Sequence, residues 1–262
     1  MKISENWHVD APWAQLLCST KMPDDTLQKF ISMSDEVLNE TSAQDNGPAP
    51  DTWNLELEKY QKYGVYDYIM ETAGNYISTI LSNGNVKQHM DVAISDGPHT
   101  TWNTKIITSW IVNQKEDKFL PIHAHSKIEN GYEHLKISGV VYLKVPKQLN
   151  RSPVGEVEAW GKGGQITFTG MGDADQVQTT SLYNIQPEAG WLYIFPSTLN
   201  HQVHPFKGEG ERRSLSFNID FISREQLEKL ERLTNTEQVI RTNDYKVNTE
   251  DIARAMGGKV KL

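Results

Sequence analysis

Two separated segments of the sequence carry histidines in a spacing that suits a metal site. His123 and His125 stand two positions apart, and His201 follows in a later segment. Side chains at alternate positions of a strand point the same way, so two imidazoles from one strand end and a third from another strand can meet at one ion. Three protein ligands on one face of a metal, with the other positions open, are typical of mononuclear non-haem iron sites. The pattern predicts that these three histidines are metal ligands and catalytic residues.

A cation and a hydroxyl stand two positions apart in a later alternating segment, where Arg212 is followed by Ser214. The alternation places both on one face and directs Arg213 to the opposite face, toward solvent. A charge-assisted hydrogen bond from a guanidinium to a carboxylate contributes about 1.5–3 kcal/mol. We therefore expect Arg212, assisted by Ser214, to bind the distal carboxylate of a 2-oxo acid held at the metal. Tyr142, inside an apolar segment, is either a core residue or a further hydroxyl that reaches this co-substrate.

The elements that position these residues are helical at first and change to strands near residue 88. Apolar residues recur at helical spacing after Pro23 and again between residues 69 and 81, which predicts two amphipathic helices with a loop over residues 42–52 between them. Beyond them the apolar period becomes two, and glycine-rich turns separate the segments. The predicted strands are 89–95, 103–113, 119–124, 137–145, 165–169, 181–186, 191–196, 200–206 and 213–222.

A series of short strands of this kind indicates a sandwich or barrel. A capping box that starts at Ser223 predicts a C-terminal helix after the last strand. We predict a mostly β fold with flanking helices, in which a jellyroll is backed by two N-terminal helices and a C-terminal helix. One domain would span residues 1–262, with helical support over 1–87, the jellyroll core over 88–222, and the C-terminal helix and tail over 223–262.

Composition limits the partners of this chain. Its 262 residues carry a formal net charge of −8, and a negative field repels nucleic-acid backbones and anionic membranes. We find no apolar window of membrane-spanning length and no N-terminal signal pattern. The one cysteine, Cys18, fits a reducing compartment. These features predict a cytoplasmic protein that binds a small anion and neither nucleic acid nor membrane; they leave its oligomeric state open.

The histidines belong to longer motifs. The first group reads Pro121-Ile-His123-Ala-His125 and then Ser138-Gly139-Val-Val-Tyr142-Leu143. The second group reads Phe195-Pro196-Ser197, His201, Val203-His-Pro205-Phe206 and Arg212-Arg-Ser214-Leu-Ser216-Phe217-Asn218. Together these motifs resemble the 2-oxoglutarate/iron(II)-dependent oxygenases, in particular the subfamily found in bacteria and tailed phages.

The resemblance implies a double-stranded β-helix that uses Fe(II), 2-oxoglutarate and oxygen. It also implies oxidative decarboxylation of 2-oxoglutarate to succinate and CO₂, coupled to hydroxylation of a second substrate that the sequence does not identify. Residue by residue, the resemblance implies that His123, His125 and His201 are the metal ligands. It also implies that Arg212 and Ser214 bind the co-substrate. If a phage encodes the protein, the expected location is the host cytoplasm.

The motif departs from the wider superfamily at His125, where an aspartate or glutamate is usual. An imidazole there leaves the ligand set without an anionic member, so the metal would keep more of its positive charge. The segment that follows contains Glu129, Glu133 and His134, and each of these is an alternative to His125 as a ligand.

Two other functions fit parts of the pattern. The spacing His123-x-His125-x-x-x-Glu129, with His201 later, fits a cupin-type enzyme that uses Glu129 as an additional ligand. That interpretation needs no 2-oxo acid and leaves Arg212 unexplained. The other is a non-catalytic jellyroll binding module with vestigial histidines. A requirement for 2-oxoglutarate distinguishes the oxygenase from both.

Overall fold

The structure is a computed structural model and describes residues 8–10, 15–82, 102–129, 132–133, 136–149, 163–170 and 182–223. The chain divides into two compact units. Residues 1–95 and 104–221 form the first, and residues 96–103 and 222–262 form the second. The account below concerns the first unit, together with the strand ends that reach the second. The predicted strand 89–95 lies outside the described residues. The predicted C-terminal helix also lies outside the described residues. Its expected first residue, Ser223, is the last residue of a strand.

Strands outnumber helices along the described chain. The elements in order are β1 (His8–Asp10), β2 (Leu17–Lys21), α1 (Asp24–Glu40), β3 (Asp51–Asn54), α2 (Leu57–Lys62), α3 (Tyr66–Ser82), β4 (Trp102–Gln114), β5 (Leu120–His123), β6 (Ile128–Glu129), β7 (Tyr132–Glu133), β8 (Ile137–Lys144), β9 (Ile166–Thr169), β10 (Leu182–Ile185), β11 (Trp191–Pro196), β12 (Asn200–Val203) and β13 (Arg212–Ser223). The predicted strands from residue 103 onward correspond to observed ones, whereas β3 and α2 were not predicted and β3 overlaps the predicted loop.

Two facing sheets form the body of the fold. The larger has seven strands in the order β1-β2-β11-β8-β13-β4-β3, and the smaller has four in the order β10-β9-β12-β5. Tyr142 and Phe195 from the larger sheet pack with Ile166 and Phe168 from the smaller one in a shared apolar core. Burial of one face of each sheet follows from the alternation of apolar residues. The predicted mostly β jellyroll with flanking helices is thereby confirmed.

Helix α1 covers the outer face of the larger sheet. It begins after Pro23, as the sequence predicts, and buries Phe30, Met33 and Val37. Arg213 on β13 lies beneath this helix, with 5% of its surface exposed, and bonds to Ser34 and Asp35. The expectation that Arg213 faces solvent is therefore wrong, because a helix occupies the side of the sheet opposite Arg212.

Helix α3 is bonded to the residue just before β2. Its residues Ile69, Ala73 and Tyr76 are fully buried, and the Tyr76 hydroxyl donates to the carbonyl of Leu16 over 2.9 Å. Within the described part of the chain, no helix is both long enough and apolar enough to cross a bilayer.

Candidate metal centre

The three predicted histidines converge between the two sheets. One ring nitrogen of each lies within 4.8 Å of those of the other two. The ring centres are 4.3 Å apart for His123 and His201, 5.2 Å for His125 and His201, and 5.3 Å for His123 and His125. Zinc-to-nitrogen bonds are about 2.0–2.1 Å long, so a small inward shift of the rings would let one ion contact all three. The donor set fits a divalent transition metal.

A register shift between β5 and β12 brings two of these rings together. His201 lies opposite His123 and Val203 lies opposite Leu120, so β5 has one more residue than β12 between the two pairs. In a regular strand, Leu120 and His123 would point to opposite faces because they are three positions apart. The extra residue reverses that alternation, and both side chains line one cavity.

Main-chain carbonyls orient two of the three imidazoles. His123 Nδ1 lies 2.7 Å from the Pro121 carbonyl oxygen, and His201 Nδ1 lies 2.8 Å from that of Leu199. A carbonyl can only accept, so Nδ1 of each ring carries the proton. Nε2 of each ring is then free to bind a metal.

His125 follows β5 and is oriented by side chains. Its backbone N–H donates to the Ser197 carbonyl over 2.8 Å, which ties this segment to the end of β11. Its Nδ1 lies 2.7 Å from Asn218 Oδ1 and 3.2 Å from Ser138 Oγ. The indole of Trp110 covers one side, with ring centres 5.5 Å apart.

Burial keeps the imidazoles of His125 and His201 neutral. Desolvation lowers the pKa of His201 to about 3, against the opposing effect of its bond to the Leu199 carbonyl. Desolvation also lowers the pKa of His125, although the bond to Asn218 acts the other way. A metal binds the neutral imidazole, so near neutral pH these two rings need not lose a proton before they bind an ion.

A cavity of about 240 Å³ contains the histidines and the predicted anion anchor. Both sheets contribute to its wall. The lining residues are Thr52, Trp110, Val112, Leu120, His123, His125, Ser138, Gly139, Val140, Ile166, Phe195, His201, Val203, Arg212, Ser214 and Ser216. The structure thus places Arg212 and Ser214 beside the same space as the three imidazoles.

Arg212 is buried, and the described residues place no countercharge beside it. It is 2% exposed, and across the described ranges no carboxylate forms an ion pair with it. Its Nη2 donates to the Tyr142 hydroxyl over 3.2 Å, while its Nε is buried with no hydrogen-bond partner among the residues described. A buried guanidinium is costly unless it is paired. The arrangement suits an incoming anion.

Tyr142 supports Arg212 and does not line the cavity. Its ring lies under the guanidinium, 4.8 Å from ring centre to Cζ, and its hydroxyl accepts the bond from Nη2. Burial raises the pKa of Tyr142, so the hydroxyl stays protonated. Tyr142 belongs to the core, as one of the two interpretations expected, whereas a contact between its hydroxyl and the co-substrate stays a prediction.

A second register shift keeps another cation out of the cavity. Arg213 lies opposite Lys144, and the next residue, Ser214, lies opposite Tyr142, so β8 has one extra residue here. Lys144 is thereby turned to the helix side of the sheet, where its Nζ lies 2.9 Å from Asp35 Oδ1.

The side chains of Glu129, Glu133 and His134 lie outside the described part of the structure, so their roles as alternative ligands stay predictions. The contacts of Ser138 and Asn218 with His125 were not predicted from the sequence. A usable signal existed for Asn218, because residues 212, 214, 216 and 218 share one face of an alternating strand.

These features define a class of protein: two antiparallel sheets enclosing a cluster of three histidines that could hold a metal ion, beside a buried arginine. Residues 108–218 match the family described as "Putative 2OG-Fe(II) oxygenase". The matched segment includes both histidine segments and Arg212. The predicted class, enzyme type, and Fe(II) and 2-oxoglutarate as cofactors are confirmed.

Several solved structures resemble the chain at low identity. A viral collagen prolyl hydroxylase from Paramecium bursaria Chlorella virus-1, solved with 2OG, is 15% identical over 78% of this chain and 94% of its own, with a TM-score of 0.45. A Pseudomonas putida prolyl-4-hydroxylase is 16% identical over 78% and 91%, also at 0.45. HygX from Streptomyces hygroscopicus, with nickel and 2-oxoglutarate bound, is 10% identical over 78% and 82%, at 0.43. No curated protein matches the chain.

Proposed function

We propose that His123, His125 and His201 hold the Fe(II) of this oxygenase, and that Arg212 with Ser214 binds the distal carboxylate of 2-oxoglutarate. The observation that supports the proposal is the shared cavity, whose wall contains both the three imidazoles and the buried guanidinium, which has no ion pair among the described residues. A keto-diacid has two ends, and this cavity offers a group for each. The metal takes the 2-oxo acid end, and the cation takes the other carboxylate.

When bound, Fe(II) supplies the activation of oxygen that couples oxidation of 2-oxoglutarate to succinate and CO₂ with insertion of one oxygen atom into a substrate C–H bond. We propose hydroxylation as the outcome for that substrate. The protein residues bind and orient the reactants. Arg212 neutralises the distal carboxylate, Tyr142 holds the guanidinium in place, and the apolar wall formed by Val140, Ile166 and Phe195 limits access of water.

The test compares two histidines on the same segment. His201→Ala is expected to abolish metal binding and succinate formation, since it removes a buried ligand. His204→Ala is the matched control, because His204 bonds to Thr167 Oγ1 over 2.8 Å and does not line the cavity. The measurements are metal content, the weak visible charge-transfer band of the anaerobic protein with Fe(II) and 2-oxoglutarate, and succinate release. Equal activity in the two variants would refute the proposed ligand set.

A further inference from the structure

We propose that Asn218 is a positioning residue for the metal centre, whose amide oxygen selects the tautomer of His125 that can bind the ion. The inference rests on the proposed function, because it assumes that His125 is a ligand. Asn218 itself contacts neither the ion nor the co-substrate in the proposed site.

The three imidazoles differ in what fixes their tautomer. His123 and His201 face main-chain carbonyls, which accept and cannot donate. His125 faces a side-chain amide, which has an accepting oxygen at one end and a donating NH₂ group at the other. The oxygen end requires the proton on Nδ1 and frees Nε2, whereas the nitrogen end would require the proton on Nε2. Asn218 therefore decides whether the third ring can act as a ligand.

The contacts around the amide agree on one orientation. Ser138 Oγ donates to Asn218 Oδ1 over 2.6 Å, and Asn218 Nδ2 donates to Thr108 Oγ1 over 2.9 Å. Asn218 and Ser138 lie directly opposite each other on β13 and β8, and both are buried. The Asn218 amide thus connects β4 to the ring of His125. Its oxygen faces the ring, which places the proton on Nδ1 and leaves Nε2 of His125 unprotonated.

The position of Asn218 also excludes direct ligation by this residue. It contacts the Nδ1 side of the ring, so the imidazole separates it from the nitrogen that would bind the ion. An aspartate at this position would accept the same proton from either oxygen, whereas a leucine of similar size would accept none. Losing such a partner of a metal-bound imidazole costs about 10- to 100-fold in metal affinity.

The experiment measures Zn(II) affinity of the purified full chain by competition with a chromophoric chelator at neutral pH. Asn218→Leu is expected to bind Zn(II) about 10- to 100-fold more weakly than the unaltered protein. Asn218→Asp is expected to retain the original affinity or exceed it. Asn113→Leu is the matched control, because Asn113 is a buried asparagine on β4 whose amide donates to Glu211 and does not line the cavity.

A second measurement reports the tautomer without any metal. Long-range ¹H–¹⁵N spectra of the metal-free, ¹⁵N-histidine-labelled protein are expected to show Nδ1 protonated in all three rings. In Asn218→Leu, His125 is expected to lose this preference, whereas His123 and His201 keep it because their acceptors are backbone groups.

The outcomes separate the inference from the function on which it rests. Wild-type affinity and an unchanged His125 tautomer in Asn218→Leu would overturn the inference and leave the proposed function intact. An Asn218→Asp variant that folds but loses affinity as severely as Asn218→Leu would overturn it too, since packing and not acceptance would then matter. Failure of the unaltered protein to bind metal would refute the proposed function and the inference together.

Discussion

Arg212 Nη2 lies 3.2 Å from the hydroxyl oxygen of Tyr142, and the guanidinium Cζ lies 4.8 Å above the centre of the same ring. One tyrosine thus makes both a hydrogen bond and a cation–π contact with a cation that is 2% exposed. These contacts restrain the guanidinium without neutralising it. We therefore expect the charge of Arg212 to be available to an anionic ligand in the cavity.

Neighbouring arginines on β13 are expected to have separate roles. Arg212→Met should weaken 2-oxoglutarate binding roughly 10- to 100-fold, because it removes a charge-assisted contact of about 1.5–3 kcal/mol. Binding can be measured by titrating 2-oxoglutarate into the anaerobic Fe(II) protein and following the visible band.

Arg213→Met is the control for that experiment. Arg213 lies under α1 and pairs with Asp35 and Glu211, so its loss should leave 2-oxoglutarate affinity unchanged. It should lower the free energy of unfolding by about 1–3 kcal/mol, because two carboxylates lose a buried partner. If both variants bound 2-oxoglutarate equally weakly, the proposal that Arg212 binds the carboxylate would be contradicted.

Gly139 is expected to tolerate no side chain. A Cβ there would lie 2.2 Å from Cζ of the Phe217 ring on the neighbouring strand. Gly139→Ala should therefore lower the free energy of unfolding by about 1–3 kcal/mol through overpacking, measured by urea denaturation. Shortening the facing ring should relieve the clash, so the effect of Gly139→Ala should shrink in a Phe217→Leu background. Full additivity of the two substitutions would contradict this explanation.

Stability at acid pH should depend on Glu36, which joins α1 to the segment of α2. Hydrogen bonds from Lys59, Lys62 and Tyr63 lower the pKa of Glu36 from 4.5 to about 2. Because the folded-state pKa is the lower one, this stabilisation is present above about pH 4.5 and is lost as the pH falls toward 2. Glu36→Gln should remove that part of the pH dependence, measured by denaturant unfolding across this range.

Lys59, which bonds to Glu36, allows this prediction to be checked. The bond to Glu36 raises the pKa of Lys59 to about 12. In a Lys59→Met background, Glu36→Gln should therefore change the acid dependence less than it does in the unaltered protein. The same change in both backgrounds would show that this pair does not account for the pKa of Glu36.

The sequence by itself determined which residue types carry the chemistry and which local faces they occupy. Alternation in a strand depends on the backbone alone, so Arg212 and Ser214 could be assigned to one side, and the period-two pattern predicted most of the described strands. The motifs containing His123, His125 and His201 were sufficient to indicate a metal site and its family.

Only the tertiary structure decided how those faces meet. The extra residue in β5 turns His123 toward His201, and the extra residue in β8 turns Lys144 away from the cavity; both shifts depend on pairing with distant strands. Helix α1 buries Arg213, which alternation alone assigned to solvent. The amide of Asn218 reaches His125 only because β13 lies between β4 and β8. Register and packing are set by the free energy of the whole assembled fold, so local sequence patterns do not specify them.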